Sequence, residues 1–186
     1  MLLTSGPVPS GDAWTLELKW DGCRAQLRYD GRSVSLRTRN GRECSADFPE
    51  LGAVSGVLGK RRATFDGKLV CLRGDGQPDF ARLRHRLTGS TSNRHPAMLQ
   101  LFDLLHLDGH STRPLPYSER RALLEELALD GPAWRTPASV VVLRAQDFVA
   151  RVEELGLEGV AAKRPSSTYI PGRRCTAWAK QKLRRH

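Results

Sequence analysis

Apolar and polar residues alternate along Trp14-Thr-Leu-Glu-Leu-Lys19: Trp14, Leu16 and Leu18 fall on one side, Thr15, Glu17 and Lys19 on the other. A period of two marks a half-buried strand. Glu17, Lys19 and Asp21 then share a face, turned to a groove or to solvent. The Asp21-Gly22 pair ends this strand. Arg24 to Tyr29 leads to Asp30-Gly31, a hairpin signal, and Val34, Leu36 and Thr38 alternate with Ser33, Ser35 and Arg37 on the return. Residues 1–12, rich in Gly, Pro and Ser, read as an irregular lead-in.

Further along, Asp47 is placed to cap a short helix whose inner face carries Leu51, Val54, Val57 and Leu58. Ala63 to Leu72 reads as a strand pair broken at Asp66-Gly67, and Asp79 to Leu87 as a basic helix. Met98 to Leu105 is an apolar run of strand length, suited to burial on both faces and closed by Asp108-Gly109. Ser118 is expected to cap a helix through about Leu127 with a stripe of Ala122, Leu123 and Leu127. Ser139 to Leu143 is another strand. Phe148, Val152 and Leu155 fall at helical spacing before a Gly156 stop. Glu158 to Lys163 and Thr176 to Leu183 are the last strands. Short strands, Asp-Gly turns and about four helices in an antiparallel pattern give an α+β fold.

Composition narrows the class. With 186 residues, 39% hydrophobic and 27% charged, the chain can bury a core. No apolar run approaches the roughly 18 residues of a membrane span, and the start lacks a secretory pattern. A cytoplasmic address is expected. Cys23, Cys44, Cys71 and Cys175 form no Cys-x-x-Cys pair, and the five histidines have no finger spacing, so reduced thiols are expected and a structural zinc is not. The net charge of +10 favours a polyanionic partner. Lys60-Arg-Arg62, the group Arg82, Arg84, Arg86, and the tail Lys180, Lys182, Arg184, Arg185 concentrate that charge.

Candidate chemistry centres on Lys19. A free lysine has a pKa of about 10.4; crowding by cations or loss of water lowers it and makes the amine a usable nucleophile. Lys180 and Lys182, two apart on a strand, face together. Taken alone, Lys-Trp-Asp-Gly reads first as a surface hairpin with snorkelling charges.

Six short segments in order carry a resemblance. Lys19-Trp-Asp-Gly-Cys-Arg24 looks like the Lys-x-Asp-Gly-x-Arg nucleophile motif of the adenylation (nucleotidyltransferase) domain of ATP-dependent DNA ligases, especially bacterial end-joining ligases. Leu36-Arg-Thr-Arg-Asn-Gly41, Phe65-Asp-Gly-Lys68, Leu101-Phe-Asp-Leu-Leu105, Glu158-Gly-Val-Ala-Ala-Lys163 and Trp178-Ala-Lys-Gln-Lys182 resemble the motifs that follow. The resemblance runs from about Trp14 to Leu183. It implies an ATP-grasp-like arrangement of two mainly antiparallel sheets flanked by helices, with nucleotide between the sheets. It further implies that Lys19 attacks ATP to form a lysyl-AMP, with Mg2+ or Mn2+ as cofactor, for transfer to a DNA 5′-phosphate in repair or recombination.

By the same resemblance Lys180 and Lys182 contact the α-phosphate, and Glu158 binds metal or ribose. Phe102 stacks on adenine, whose amino group lies near Glu17, while Arg24 and Arg39 hold ribose and phosphate. Lys163 also belongs to the nucleotide set, although strict alternation puts it on the opposite face from Glu158 unless a bulge intervenes. The implied partners are nicked or broken double-stranded DNA, an OB-fold domain or end-joining proteins, and no membrane; the implied setting is a bacterial cytoplasm, at the nucleoid.

The chain departs from the family pattern twice. Lys68 stands where the third motif has glutamate, a reversal of charge. Family ligases continue into an OB fold, whereas this sequence stops at Leu183-Arg-Arg-His186; a single adenylation domain over 1–186, poor at sealing nicks alone, is the expectation. Rival readings are an RNA ligase or capping-type guanylyltransferase, a silent nucleic-acid-binding relative, and an anion-binding scaffold.

Overall fold

Where side chains alternate the backbone is extended, and each sheet turns the apolar side of the alternation inward. The computed structural model describes residues 1–9, 14–88, 95–141 and 145–183. Its strands are β1 (Leu2–Ser5), β2 (Thr15–Leu18), β3 (Cys23–Tyr29), β4 (Val34–Thr38), β5 (Ala63–Cys71), β6 (Ala97–Leu107), β7 (His110–Ser111), β8 (Trp134–Arg135), β9 (Val140–Val141), β10 (Gly159–Lys163) and β11 (Arg174–Lys182). The helices are α1 (Val54–Leu58), α2 (Phe80–Leu87), α3 (Tyr117–Glu126) and α4 (Ala145–Glu154). They fall into two compact units, one of Met1–Trp20, Arg113–Glu119 and Pro137–His186, the other of Asp21–Thr112 and Arg120–Thr136.

The first unit holds a five-stranded sheet ordered β1-β11-β10-β2-β9. Its apolar face carries Trp14, Leu16, Val160, Ala162 and Ala179, covered by Val152 of α4 with Ala145, Phe148 and Val149 beside it. Those four α4 positions are spaced i, i+3, i+4, i+7, the stripe of an amphipathic helix. Leu155, expected in the stripe, lies past the last helical residue and is exposed. Gly156 ends the helix with φ +64°, donating to the Glu153 carbonyl at 2.9 Å. The lead-in is not wholly irregular: Leu2–Ser5 is a strand running parallel to β11, reached by pairing with an edge that carries no local pattern of its own. Of the strand expected over Ser139 to Leu143, Val140 and Val141 pair with β2, while Val142 and Leu143 lie outside the described residues.

The second unit holds a sheet ordered β4-β3-β5-β6-β7, with β8 beside β6. One face buries Leu27, Leu36, Phe65, Leu69, Leu99 and Leu101 among Phe48, Leu51 and Leu83, each worth about 1.5–3 kcal/mol when fully withdrawn from water. The β3–β4 hairpin and the Asp108-Gly109 turn form as the sequence predicts. Asp79 caps α2, its carboxylate accepting from the Arg82 N–H at 3.0 Å.

Four expectations for this unit need correction. Ala63–Cys71 is one strand, because Gly67 is needed for close packing and not for a turn: a Cβ there would lie 2.8 Å from the Leu99 side chain and 3.0 Å from the Gln100 carbonyl oxygen. Asp47 sits inside a 3₁₀ turn and caps nothing, and Val57 of the following α1 is exposed. On α3 it is Leu124, not Ala122, that is buried; Ala122 faces solvent. Arg86 is not a solvated charge, since its guanidinium is buried against Glu50 at 2.5 Å and over the Phe48 ring at 4.4 Å. All four cysteines are free, and burial pushes the Cys44 and Cys71 thiols up to about 11. Among the described residues no helix is long and apolar enough to cross a membrane.

Gly159 anchors the irregular entry to β10. Its φ of +149° suits glycine, and a Cβ would fall 2.1 Å from the Gln181 carbonyl oxygen. Gly159→Ala should therefore lower stability by about 1–3 kcal/mol from backbone strain alone, with the clash adding to it. Gly56→Ala, which meets nothing within 4 Å, should not destabilise; urea midpoints of the two variants check this.

Candidate active site

Opposed residues in a ladder point to the same side, so register alone assembles the polar face of the first unit. Thr15, Lys163 and Trp178 lie abreast on β2, β10 and β11. Glu17, Ala161 and Lys180 form the next row. The Lys19 N–H donates to the Gly159 carbonyl at 2.9 Å, and Gly159 is opposite Lys182, which makes a third row. The middle strand contributes only Gly159 and Ala161 to the last two rows. No bulky side chain of β10 separates Glu17 and Lys19 from Lys180 and Lys182.

At the closed end of this face the Glu17 carboxylate, 3% exposed, accepts from the Lys163 ammonium at 2.7 Å and from the Tyr117 hydroxyl. Lys163 is 2% exposed and lies 4.7 Å above the Tyr117 ring and 4.6 Å above Trp178. Tyr117 and Tyr169 meet Trp178 edge-on, and the Trp178 indole N–H donates to Ser167 Oγ at 3.1 Å. A charge pair this deep survives because its polar atoms are satisfied and aromatic faces add cation–π attraction.

At the open end Lys19 is ion-paired with Glu158, and the exposed Lys182 ammonium is 3.9 Å from the same carboxylate oxygen. Simple alternation would turn Glu158 away from Lys19 and Lys163. The backbone at Gly159 breaks the alternation, so Glu158 reaches the lysine face after all. Lys180 has its pKa lowered, first by burial and then by the charges of Lys19, Lys182 and Arg174. Glu158 Oε2 is buried and has no hydrogen-bond donor among the described residues. An acceptor left open in this way suits a hard divalent cation, which binds one or two carboxylates together with substrate phosphates and water. Among the described residues no group of three or more His, Cys, Asp or Glu side chains is arranged to hold a metal ion.

In the second unit Arg24 and Asp66 form a two-pronged pair at 3.0 and 2.6 Å, with Asp66 fully buried. The Arg24 guanidinium lies 5.7 Å from the Phe102 ring centre. Between Gly67↔Leu101 and Asp66↔Asp103 the register of β6 slips by one, which makes Phe102 the extra residue of a bulge. Bulges re-aim side chains; Phe102 is half-buried and stands outside the core cluster. Lys68 is opposite Arg24 on one side and Gln100 on the other. Arg39 is exposed in the turn after β4, its N–H donating to the Arg24 carbonyl at 3.1 Å.

Sequence reasoning gave no role to several residues that hold these halves. Asp66 and Asp103 are directly opposed and fully buried, and each takes an arginine: Arg24 for Asp66, and Arg120, 2.7 Å away and also fully buried, for Asp103. Both aspartates lie within quoted motifs, so the signal existed. Arg120, Tyr117 and Ser167 carried none, since Asp103, Glu17 and Trp178, which they meet, lie 17, 100 and 11 residues away on other elements.

A sequence profile described as the ATP dependent DNA ligase domain matches residues 8–182. The chain belongs to the ATP-dependent DNA ligase domain family. It is 38% identical over 184 residues to the multifunctional non-homologous end joining DNA repair protein LigD of Mycobacterium tuberculosis (strain ATCC 25618 / H37Rv), covering 98% of this chain and 23% of LigD. DNA ligase C2 of Mycolicibacterium smegmatis is 38% identical over 175 residues, 90% of this chain and 49% of that protein. Among solved structures, mycobacterial DNA ligase D complexed with ATP and MES matches with a TM-score of 0.86 at 34% identity, over 97% of this chain and 58% of that one. The fold of this ligase domain is thus the α+β arrangement expected from the motifs. The chain spans about a quarter of the length of the LigD proteins it matches.

Removing one partner of the buried pair should be costly. Lys163→Ala leaves the Glu17 carboxylate buried without its cation, an expected loss of about 3–5 kcal/mol, whereas the apolar double variant Glu17→Leu/Lys163→Met should lose much less. Chemical denaturation of the two single variants and the double variant measures the coupling.

Proposed function

We propose that this ligase domain performs the adenylation step of ATP-dependent DNA ligation. Lys19 Nζ attacks the α-phosphorus of ATP; a nitrogen–phosphorus bond forms as the bond to pyrophosphate breaks, and the amine loses its proton. The observation that carries the reading is the convergence of Lys19, Lys180 and Lys182 on one sheet face around a single carboxylate. Family membership supplies the nucleotide.

The residues divide the work. The contact with Glu158 engages the Lys19 amine and must open before attack; Lys182, 3.9 Å from the same oxygen, is the cation positioned to compete for that carboxylate. Lys180 and Lys182 then stabilise the charge on the α-phosphate. Lys180 already carries a depressed pKa from burial and neighbouring cations, so it gains by meeting an anion. A divalent cation such as Mg2+, held by Glu158, would supply further neutralisation of the phosphate oxygens. Glu17 is spoken for by Lys163 and Tyr117, leaving it fixed in place as an acceptor for the adenine amino group. In the second unit Arg24, oriented by Asp66, and the exposed Arg39 are assigned to ribose and phosphate, and the bulge-borne Phe102 to the purine. Lys163 serves by holding Glu17.

The AMP is then passed to the 5′-phosphate of nicked or broken DNA, a partner suited to the +10 charge. A bacterial cytoplasmic setting with an OB-fold domain or end-joining proteins as partners follows from the same reading. Lys68, opposite Arg24 in the ladder, puts a second cation where the family pattern has glutamate, and we assign to it a slowing of the first step.

Intact mass spectrometry after incubation with ATP and magnesium tests the proposal: one AMP should be gained, and Lys19→Ala should gain none. Lys68→Glu should gain it faster, with α-labelled ATP giving the rates. No adduct on the parent chain contradicts adenylation, GTP in place of ATP points to capping-type chemistry, and equal rates remove the role given to Lys68.

A further inference from the structure

Beyond β1 the chain does not leave the sheet at once. The Gly6 N–H donates to the Lys180 carbonyl at 3.1 Å, and the Val8 N–H donates to Gln181 Oε1 at 2.8 Å. These bonds pin Ser5, Gly6 and Pro7 along β11 and close one side of a cavity of about 410 Å³ whose other side is Lys180, Gln181 and Lys182. The size lies within the range of about 300–1,000 Å³ that small ligands occupy.

Its chemistry is that of an anion site. Ser5 is opposite Lys180 in the parallel ladder, so its hydroxyl borders the lysine face. Lys180 feels Lys19, Lys182 and Arg174 as neighbouring cations and Glu158 as the neighbouring carboxylate, four positive groups counting itself against one negative. Glu158 is already engaged by Lys19. A ligand with more than one negative charge would offset this excess better than a single carboxylate can. Gly6 adds a geometric point: a Cβ there meets nothing within 4 Å. The fold does not require glycine at this position, and its absent side chain leaves the backbone open to close approach by a ligand.

We propose that Ser5, Gly6 and Pro7, with Lys180 and Lys182, form a diphosphate subsite that receives the β- and γ-phosphates of the nucleotide and releases them as pyrophosphate. This rests on the adenylation reading for the identity of the phosphate chain: Lys180 and Lys182 grip the α-phosphate from one side, and the N-terminal segment lines the space beyond them. The segment that the sequence marks only as a lead-in thus forms a wall of the site.

The test uses inorganic pyrophosphate as the probe, with Gly6→Val to fill the space and Ser5→Asp to add a negative charge. Thermal melts first establish that both variants keep the parent Tm, as the open space at Gly6 and the exposure of Ser5 predict. Calorimetry on the unmodified chain should show pyrophosphate binding that weakens about tenfold or more in each variant while AMP affinity changes less than about twofold. On the adenylated chain, the pyrophosphate concentration needed to discharge AMP from Lys19 should rise by a similar factor. Unchanged pyrophosphate binding in both variants overturns the subsite, as does a proportional loss of AMP binding. A 5′-phosphorylated oligonucleotide that displaces pyrophosphate one for one also overturns it, by making the cavity a DNA-end site. If Lys19 never acquires AMP, the adenylation reading fails, and the direct pyrophosphate titration still decides the cavity.

Discussion

The buried contact between Glu17 and Lys163 is the constraint on which the rest of the site depends. Both side chains are almost without solvent, and each lies on a different strand, so the pair forms only when β2 and β10 are in one register. A slip of β10 by one residue against β2 would send Lys163 into the apolar face, toward Leu16 and Val152, and leave the Glu17 carboxylate without its cation. The cost of that slip far exceeds any gain elsewhere, because a charge in an apolar interior loses its hydration without replacement. The pair therefore acts as a register lock, and the same lock sets Lys19 opposite Gly159 and keeps β11 aligned so that Lys180 and Lys182 share its face.

Charge is distributed along this face with a direction. At the Glu17 end the carboxylate is held by Lys163 and Tyr117 and ringed by Tyr117, Tyr169 and Trp178; at the Glu158 end Lys19, Lys180 and Lys182 share one carboxylate, whose Oε2 has no donor among the described residues. One end is built to hold and the other to receive. Two features place the receiving end: the backbone at Gly159, which turns Glu158 toward the lysines, and the N-terminal strand, which completes the border of the cavity beside Lys180.

Much of this was legible in the chain. The β2 alternation, the β3–β4 hairpin, the basic helix α2 and the last two strands follow from local periodicity and turn chemistry. The pairing of Lys180 with Lys182 needed only the two-residue period of a strand. What escaped reading depends on partners far apart in sequence. Leu2–Ser5 becomes a strand because β11, about 170 residues on, offers it an edge. Arg86 looked like surface charge until Glu50 and Phe48 folded around it. Gly67 read as a turn because glycine's other use, room for a neighbouring strand, leaves no local mark. Glu158 illustrates the limit best: alternation assigns it to the wrong face, and only the backbone angle at Gly159 corrects it.

The most direct test of the register-locked lysine face is nuclear magnetic resonance of the chain carrying 15N at the lysine Nζ atoms, titrated with ATP. The ammonium signals of Lys19, Lys180 and Lys182 should shift together and saturate with one dissociation constant, while Lys163 stays slow to exchange its protons with water. Independent titration of the three signals, or a Lys163 that exchanges as quickly as an exposed lysine, would contradict it.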